Sequence, residues 1–292
     1  MSSRFRTAAA HLERDPAELR RRDRAVLRIL NRSGAATAAQ LTVLAYRNRR
    51  LAQACLRRLW SDGLLERALL PPSSLRGGAP YAYRLSRGCL RRLGYRRIPP
   101  RGPGYLTHTL DAVDAVCALV AAGDPDRRPL VQLWLPESIV ADALPDGPRP
   151  DALVVLDDGR RSGVLCLEID EATQHVAPIR AKLRAYREAL AVRRGWHVVF
   201  AVPTAARGAW LGRAARGADL SLISAWAVTS AQLSAHGIEA PLTSLADAGR
   251  STTLGGALTD VGPRRSAAPV GSGAWLDLLG SGAGEELEAL LR

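Results

Sequence analysis

Four residues of this chain could do acid, base or metal chemistry together: Asp151, Glu168, Asp170 and Lys182. Two apolar runs, 151–156 and 164–170, flank a turn centred between Gly159 and Arg160, so opposed residue numbers in the expected hairpin sum to 319. Asp151 then falls opposite Glu168. Side chains alternate along a strand, so Glu168 and Asp170 share a face with Val164 and Cys166. Three carboxylates are therefore expected to converge at one end of the hairpin. Opposed like charges on strands that read as buried are destabilising, so something cationic is expected among them. Two answers are open: a divalent cation with oxygen ligands, or basic side chains from the next helix. That helix offers Arg180, Lys182 and Arg184, with Lys182 and Tyr186 four apart on one face. Of the 41 basic residues, Lys182 is the only lysine. Its ammonium is compact and can lose a proton, which a guanidinium does not easily do.

The surrounding pattern predicts the elements that must hold these groups. Helix 107–121 is followed by strands 130–135, 151–156 and 164–170, helix 178–193, strand 197–202, helix 205–215 and strand 222–228. This order implies an α/β sandwich with a mixed sheet. His108 opens the first helix, as a cap or core residue or as a group approaching the acids. Glu171 and Gln174 follow Asp170, as outer partners of the acids or as a solvated turn.

The charge is divided along the chain. Residues 1–106 hold 23 basic and 6 acidic side chains, net +17, against 18 and 22, net −4, in the remaining 186. A basic front joined to a slightly acidic back reads as a polyanion-binding module attached to something else. Asp15-Pro16 opens a helix carrying Leu19, Val26, Leu27 and Leu30, a second begins at Thr37, and a third spans about Asn48 to Ser61. In the third, Leu51, Cys55 and Leu59 are expected to face the core. Arg49, Gln53 and Arg57 repeat at the same spacing on another face, with Arg47, Arg50 and Arg58 beside them. Strand 64–70, a Pro/Gly/Ser-rich loop containing Arg76, and strand 81–85 complete a three-helix and hairpin order, that of a winged helix-turn-helix. Arg67, Arg76 and Arg84 are then placed to meet phosphates of double-stranded DNA.

Composition excludes other classes. At 47% hydrophobic and 24% charged residues the chain can build packed cores. The longest uncharged stretch, Leu220 to Ala235, is too short to span a bilayer, and the first residues lack an apolar signal core, so a cytoplasmic protein without a membrane anchor is expected. Cys55, Cys89, Cys117 and Cys166 form no CxxC pair and read as buried free thiols. Gly77-Gly78 and Gly255-Gly256 lack a phosphate-loop lysine. The front lacks the aromatic stacking platform expected of a single-strand binder. The expected organisation is a flexible N-terminus (1–14), a winged-helix domain (15–95), an α/β domain (105–248), and a low-complexity linker with a short C-terminal helix (249–292). Residues 274–292 could hold a protein partner or dock on their own domain.

Pro150-Asp151 with Glu168-Ile169-Asp170 resembles the PD-(D/E)xK nuclease superfamily. More narrowly, the chain resembles the replication-relaxation family of bacterial plasmid and mobile-element proteins over roughly residues 15–230. The carrying segments are the basic front, His108-Thr109-Leu110, Arg149-Pro150-Asp151-Ala152, Leu167-Glu168-Ile169-Asp170 with Thr173, and Lys182-Leu183 with Tyr186. The resemblance implies a restriction-endonuclease-like second domain in which Asp151, Glu168 and Asp170 hold Mg²⁺ or Mn²⁺ and Lys182 assists water activation. It departs from the pattern at Asp170, which occupies the place of the motif lysine. Two functions follow. One is a DNA-binding protein of plasmid or mobile-element replication, relaxation or transfer that could nick DNA with a metal. The other is a transcriptional regulator whose silent nuclease-like domain serves dimerisation, as a homodimer, or sensing.

Overall fold

The computed structural model describes residues 5–7, 19–46, 48–71, 81–94, 104–123, 130–137, 139–140, 147–247 and 249–260. Two compact units, Met1–Val113 and Asp114–Arg292, make up the chain, and both helices and strands occur in each. Arg47, Arg76 and the segment 274–292 lie outside the described residues.

In the first unit, strand β1 (Arg6–Thr7) precedes helix α1 (Arg21–Ser33), which buries Val26, Leu27, Ile29 and Leu30 and stops at Gly34, φ 78°. Strand β2 (Ala36–Thr37) leads into α2 (Ala38–Leu41) through a reciprocal cap. The Thr37 hydroxyl accepts from the Gln40 backbone at 3.2 Å, and the Gln40 amide oxygen accepts from the Thr37 backbone at 2.7 Å. After a π-helical turn (Thr42–Tyr46), Asn48 caps α3 (Arg49–Ser61) by accepting from the Leu51 N–H at 3.0 Å. Strands β3 (Leu65–Leu69) and β4 (Tyr81–Leu85) form the expected hairpin, with Leu65 opposite Leu85 and Leu69 opposite Tyr81. The sheet order is β1-β3-β4-β2, and α4 (Arg87–Arg92) follows from the Ser86 cap.

Two expectations need correcting here. Residues 6 and 7 of the N-terminal segment pair as a strand with Arg67 and Glu66. Helix α3 is also rolled by one residue: Ala52, Leu56 and Leu59 are the buried set, and Leu51 is 40% exposed. A stripe at i, i+4 and i+7 holds the helix closer to the core through a small residue, so Leu51 moves to the side that carries the arginines.

The unit boundary falls inside α5 (Tyr105–Ala121). The second unit is built on one mixed sheet. Strands β5 (Val131–Pro136), β6 (Ala152–Asp157) and β7 (Arg161–Ile169) are antiparallel neighbours. Helix α6 (Val176–Leu190) then crosses to β8 (Trp196–Val202), and α7 (Ala205–Ala215) to β9 (Ser224–Thr229), making β7, β8 and β9 parallel. Two crossovers of one hand that step in one direction put both helices on one face, and Ile179, Leu183, Tyr186 and Leu211 share a core there with Cys166, Val198 and Phe200. Helix α8 (Ser230–His236), which follows β9 directly, packs against β8 and β9. Strands β10 (Pro241–Ser244) and β11 (Ser251–Thr253) extend the sheet beyond β9.

Residues 249–260, expected as linker, carry β11, α9 (Leu254–Ala257) and β12 (Thr259–Asp260), the last paired with the start of β7. Their small residues fit close quarters, and Leu254 and Leu258 are buried between them. Among the described residues no helix is long and apolar enough to cross a membrane.

Candidate functional site

The hairpin register follows the sum of 319 from Ala152↔Leu167 to Asp157↔Ser162. Asp157 and Asp158 fix the turn by accepting from the N–H groups of Gly159, Arg160 and Arg161, and Gly159 supplies φ 85°. Carried one residue further, the register sets Asp151 against Glu168 at the sheet end. The Asp151 carboxylate accepts from the Ile169 N–H at 2.7 Å.

Glu168 is 2% exposed and both its oxygens are engaged from α6. Lys182 Nζ lies 2.5 Å from Oε2, and the Tyr186 hydroxyl donates to Oε1 at 2.6 Å. The two donors are four residues apart, one helical turn, and the buried stripe Ile179, Leu183, Tyr186, Leu190 fixes the roll that presents them. Burial, followed by the Asp151 charge, pushes the Glu168 carboxyl up to about 7 against the opposing pull of Lys182 and Tyr186. Burial also works against the Lys182 ammonium, but Glu168, Asp151 and Glu137 outweigh it and hold its pKa above the ordinary value.

Glu137 escaped the sequence reading. Pro136 pairs with Ala152, and the Glu137 N–H donates to the Asp151 carbonyl at 3.2 Å, so Glu137, Asp151 and Glu168 follow one another across β5, β6 and β7. A register for β5 would have found it. The break in that register between Val131 and Leu133 makes such a reading ambiguous from sequence.

Asp170 does not complete a trio. It lies past the end of β7, where Arg207 of α7 takes both its oxygens, Nε to Oδ2 at 2.6 Å and Nη2 to Oδ1 at 3.1 Å. Arg207 also donates to the Gln174 carbonyl at 2.9 Å and stacks on Trp210. Asp170 accepts in addition from Ala172 N–H, a residue at φ 60°, so it organises the turn into α6. The expected convergence of three carboxylates thus becomes Asp151 and Glu168 together and Asp170 apart. Charge neutralisation of Asp170 by an arginine 37 residues away leaves no periodic trace in the sequence. Among the described residues, no three His, Cys, Asp or Glu side chains gather so as to hold a metal ion. Arg180 donates to the Ala214 carbonyl, Arg184 is exposed, and Glu171 lies exposed beside the turn. His108 belongs to the first unit, its backbone N–H bonded to Gly104.

In the first unit the basic residues divide by what they touch. Arg49, Arg50, Gln53 and Arg57 are exposed on α3. Arg58 instead turns to the buried Asp23, at 2.5 Å, which also accepts from the Tyr46 hydroxyl at 3.1 Å. Arg84 is paired with Glu66 and stacked on Phe5. Arg67 Cζ lies 3.6 Å from the Trp60 ring centroid and 4.4 Å from that of Tyr81. The four cysteines are free thiols. Cys89, Cys117 and Cys166 are buried, and burial pushes the Cys89 thiol up to about 12.

Fold and site together define a two-unit α/β protein with an arginine-rich N-terminal unit and a lysine–carboxylate cluster at a sheet end of the second. The chain belongs to the replication-relaxation family, whose sequence model matches residues 27–199, more than half its length. Membership points to a role in the replication or relaxation of plasmids or mobile elements. No curated protein and no solved structure matches the chain.

Proposed function

We propose that the chain binds double-stranded DNA in the replication, relaxation or transfer of a plasmid or mobile element. In this reading the first unit is a winged helix that sets α3 in the major groove, and the second is a PD-(D/E)xK-like scaffold whose acids are neutralised by its own basic side chains. The observation that carries the first half is the exposed Arg49, Arg50, Gln53, Arg57 face on a capped helix whose other side is core. The observation that carries the second is the engagement of both Glu168 oxygens by Lys182 and Tyr186.

The donor set does not fit Mg²⁺ or Mn²⁺ in this arrangement. A hard cation wants several open carboxylate or carbonyl oxygens, and here Glu168 has both oxygens hydrogen-bonded and Asp170 is held bidentately by Arg207. Supercoiled plasmid incubated with the protein and Mg²⁺ or Mn²⁺ tests this. Retarded but intact supercoiled DNA is expected. Metal-dependent nicking that disappears in both Asp151→Ala and Glu168→Ala would overturn the scaffold reading and establish a nuclease.

A further inference from the structure

The sequence offers no run of aromatic residues in its basic front, but folding brings two rings and a guanidinium together from three distant positions. Trp60 ends α3, Arg67 lies in β3 and Tyr81 opens β4, and the Arg67 guanidinium stacks within reach of both rings. Tyr83, two residues along β4, lies 6.4 Å from Tyr81 at a tilt of 58°. Trp60 is tied down by donating its indole N–H to the Arg6 carbonyl at 3.2 Å, on the strand that edges the sheet. The rings are thus held before any ligand arrives, so stacking on them costs little side-chain entropy.

This assembly is open to solvent on one side. Tyr81 is 38% exposed, and Leu69, its direct partner across the hairpin, is 56% exposed. An exposed Leu–Tyr pair in other surroundings would suit a small apolar contact. Its setting argues otherwise, because it belongs to the stretch of net +17 and adjoins the arginine face of α3. Arg57, one turn before Trp60, is close enough to act on the Tyr83 hydroxyl electrostatically. A flat apolar ring surrounded by fixed positive charge matches a ligand with flat apolar faces and a regular negative charge, which is an unstacked nucleobase on its phosphate backbone.

We infer that the Trp60–Arg67–Tyr81 stack, with Leu69 beside it, receives an unpaired base of single-stranded DNA next to the duplex gripped by α3. The inference rests on the duplex-binding reading above and extends it to a junction of paired and unpaired DNA. In this inference Arg67 serves the rings as a fixed cation beside the phosphate contact expected of it from sequence.

The test uses the full chain and two DNAs that share one duplex, blunt-ended or carrying a short single-stranded tail with 2-aminopurine as the reporter base. Wild-type protein is expected to bind the tailed DNA about tenfold more tightly than the blunt one and to change the 2-aminopurine emission. Tyr81→Ala is expected to abolish both effects with unchanged blunt-duplex affinity, and Tyr81→Phe to preserve them. Equal wild-type affinity for the two DNAs would overturn the inference while leaving duplex binding intact. So would a tail effect that survives Tyr81→Ala, which would leave the Leu69–Tyr81 face to a protein partner. Equal loss on both DNAs in Tyr81→Ala would also overturn it, reducing Tyr81 to a folding role. Failure of the wild type to bind either DNA would overturn the duplex reading and this inference together.

Discussion

His197 on β8 is buried at 5% exposure, and among the described residues neither ring nitrogen has a hydrogen-bond partner. Its side chain points to the sheet face opposite α6 and α7, with Cδ2 beside Gly163 of β7, where an added Cβ would come within 3.5 Å of the ring. Burial lowers its pKa from 6.5 to about 4, because a charged imidazolium there would be neither solvated nor paired. A depressed histidine contributes stability that is complete above pH 6.5 and is lost as pH falls towards 4. The full span of 2.5 units corresponds to about 3 kcal/mol, of which about 2 kcal/mol is gone by pH 5. His197→Leu removes the titration and also a buried polar group without partners, which costs about 1–3 kcal/mol. The variant is therefore expected to be more stable than wild type at pH 7.5 by about 1–3 kcal/mol, and the gap to widen by about 2 kcal/mol at pH 5. Urea unfolding at the two pH values, followed by circular dichroism, measures this directly. Parallel losses of stability in the two proteins between pH 7.5 and 5 would refute the reasoning, since they would place the acid sensitivity elsewhere.

The sign reverses at Glu168. A carboxyl raised from 4.5 to about 7 stabilises the fold below pH 4.5 and withdraws up to about 3 kcal/mol as pH climbs through 7, so Glu168→Gln should remove an alkaline loss in the same unfolding series. Asp23 is buried against Arg58 and Tyr46, and because Arg58 itself is partly exposed, Arg58→Ala should cost roughly 1–3 kcal/mol in thermal or urea unfolding and leave the salt slope of DNA binding unchanged. Arg50→Ala and Arg57→Ala should do the opposite, preserving stability and each lowering the slope of log affinity against log salt by about 0.9 in anisotropy titrations. Ala172 sits at φ 60°, and Ala172→Gly should raise stability by up to about 1 kcal/mol, because the turn Asp170 holds needs a left-handed residue.

What the sequence made legible was local and periodic. The helix start at Thr37, the hairpin sum of 319 and the lysine–tyrosine pair on α6 all depend on residues no more than about 18 apart, and each is found where the spacing puts it. What it hid was the choice of partner for each charge. Arg58, Arg67 and Arg84 share a charge and a neighbourhood with Arg50 and Arg57, yet Asp23, the Trp60 and Tyr81 rings, and Glu66 claim them. Asp23 decides Arg58 because a buried carboxylate left alone is costly, whereas an arginine left in water is not. The same asymmetry governs the acid cluster. Glu168 and Asp170 are the buried partners, so each captures the nearest donor that the core packing of α6 and α7 can present. Lys182 is therefore held by the burial of Glu168 as much as by its own charge. A cation could replace that ammonium only by matching its bond to Glu168 beside the Tyr186 hydroxyl that the same helix roll delivers, which is why Glu168→Ala and Asp151→Ala, rather than the presence of the motif, decide between scaffold and nuclease.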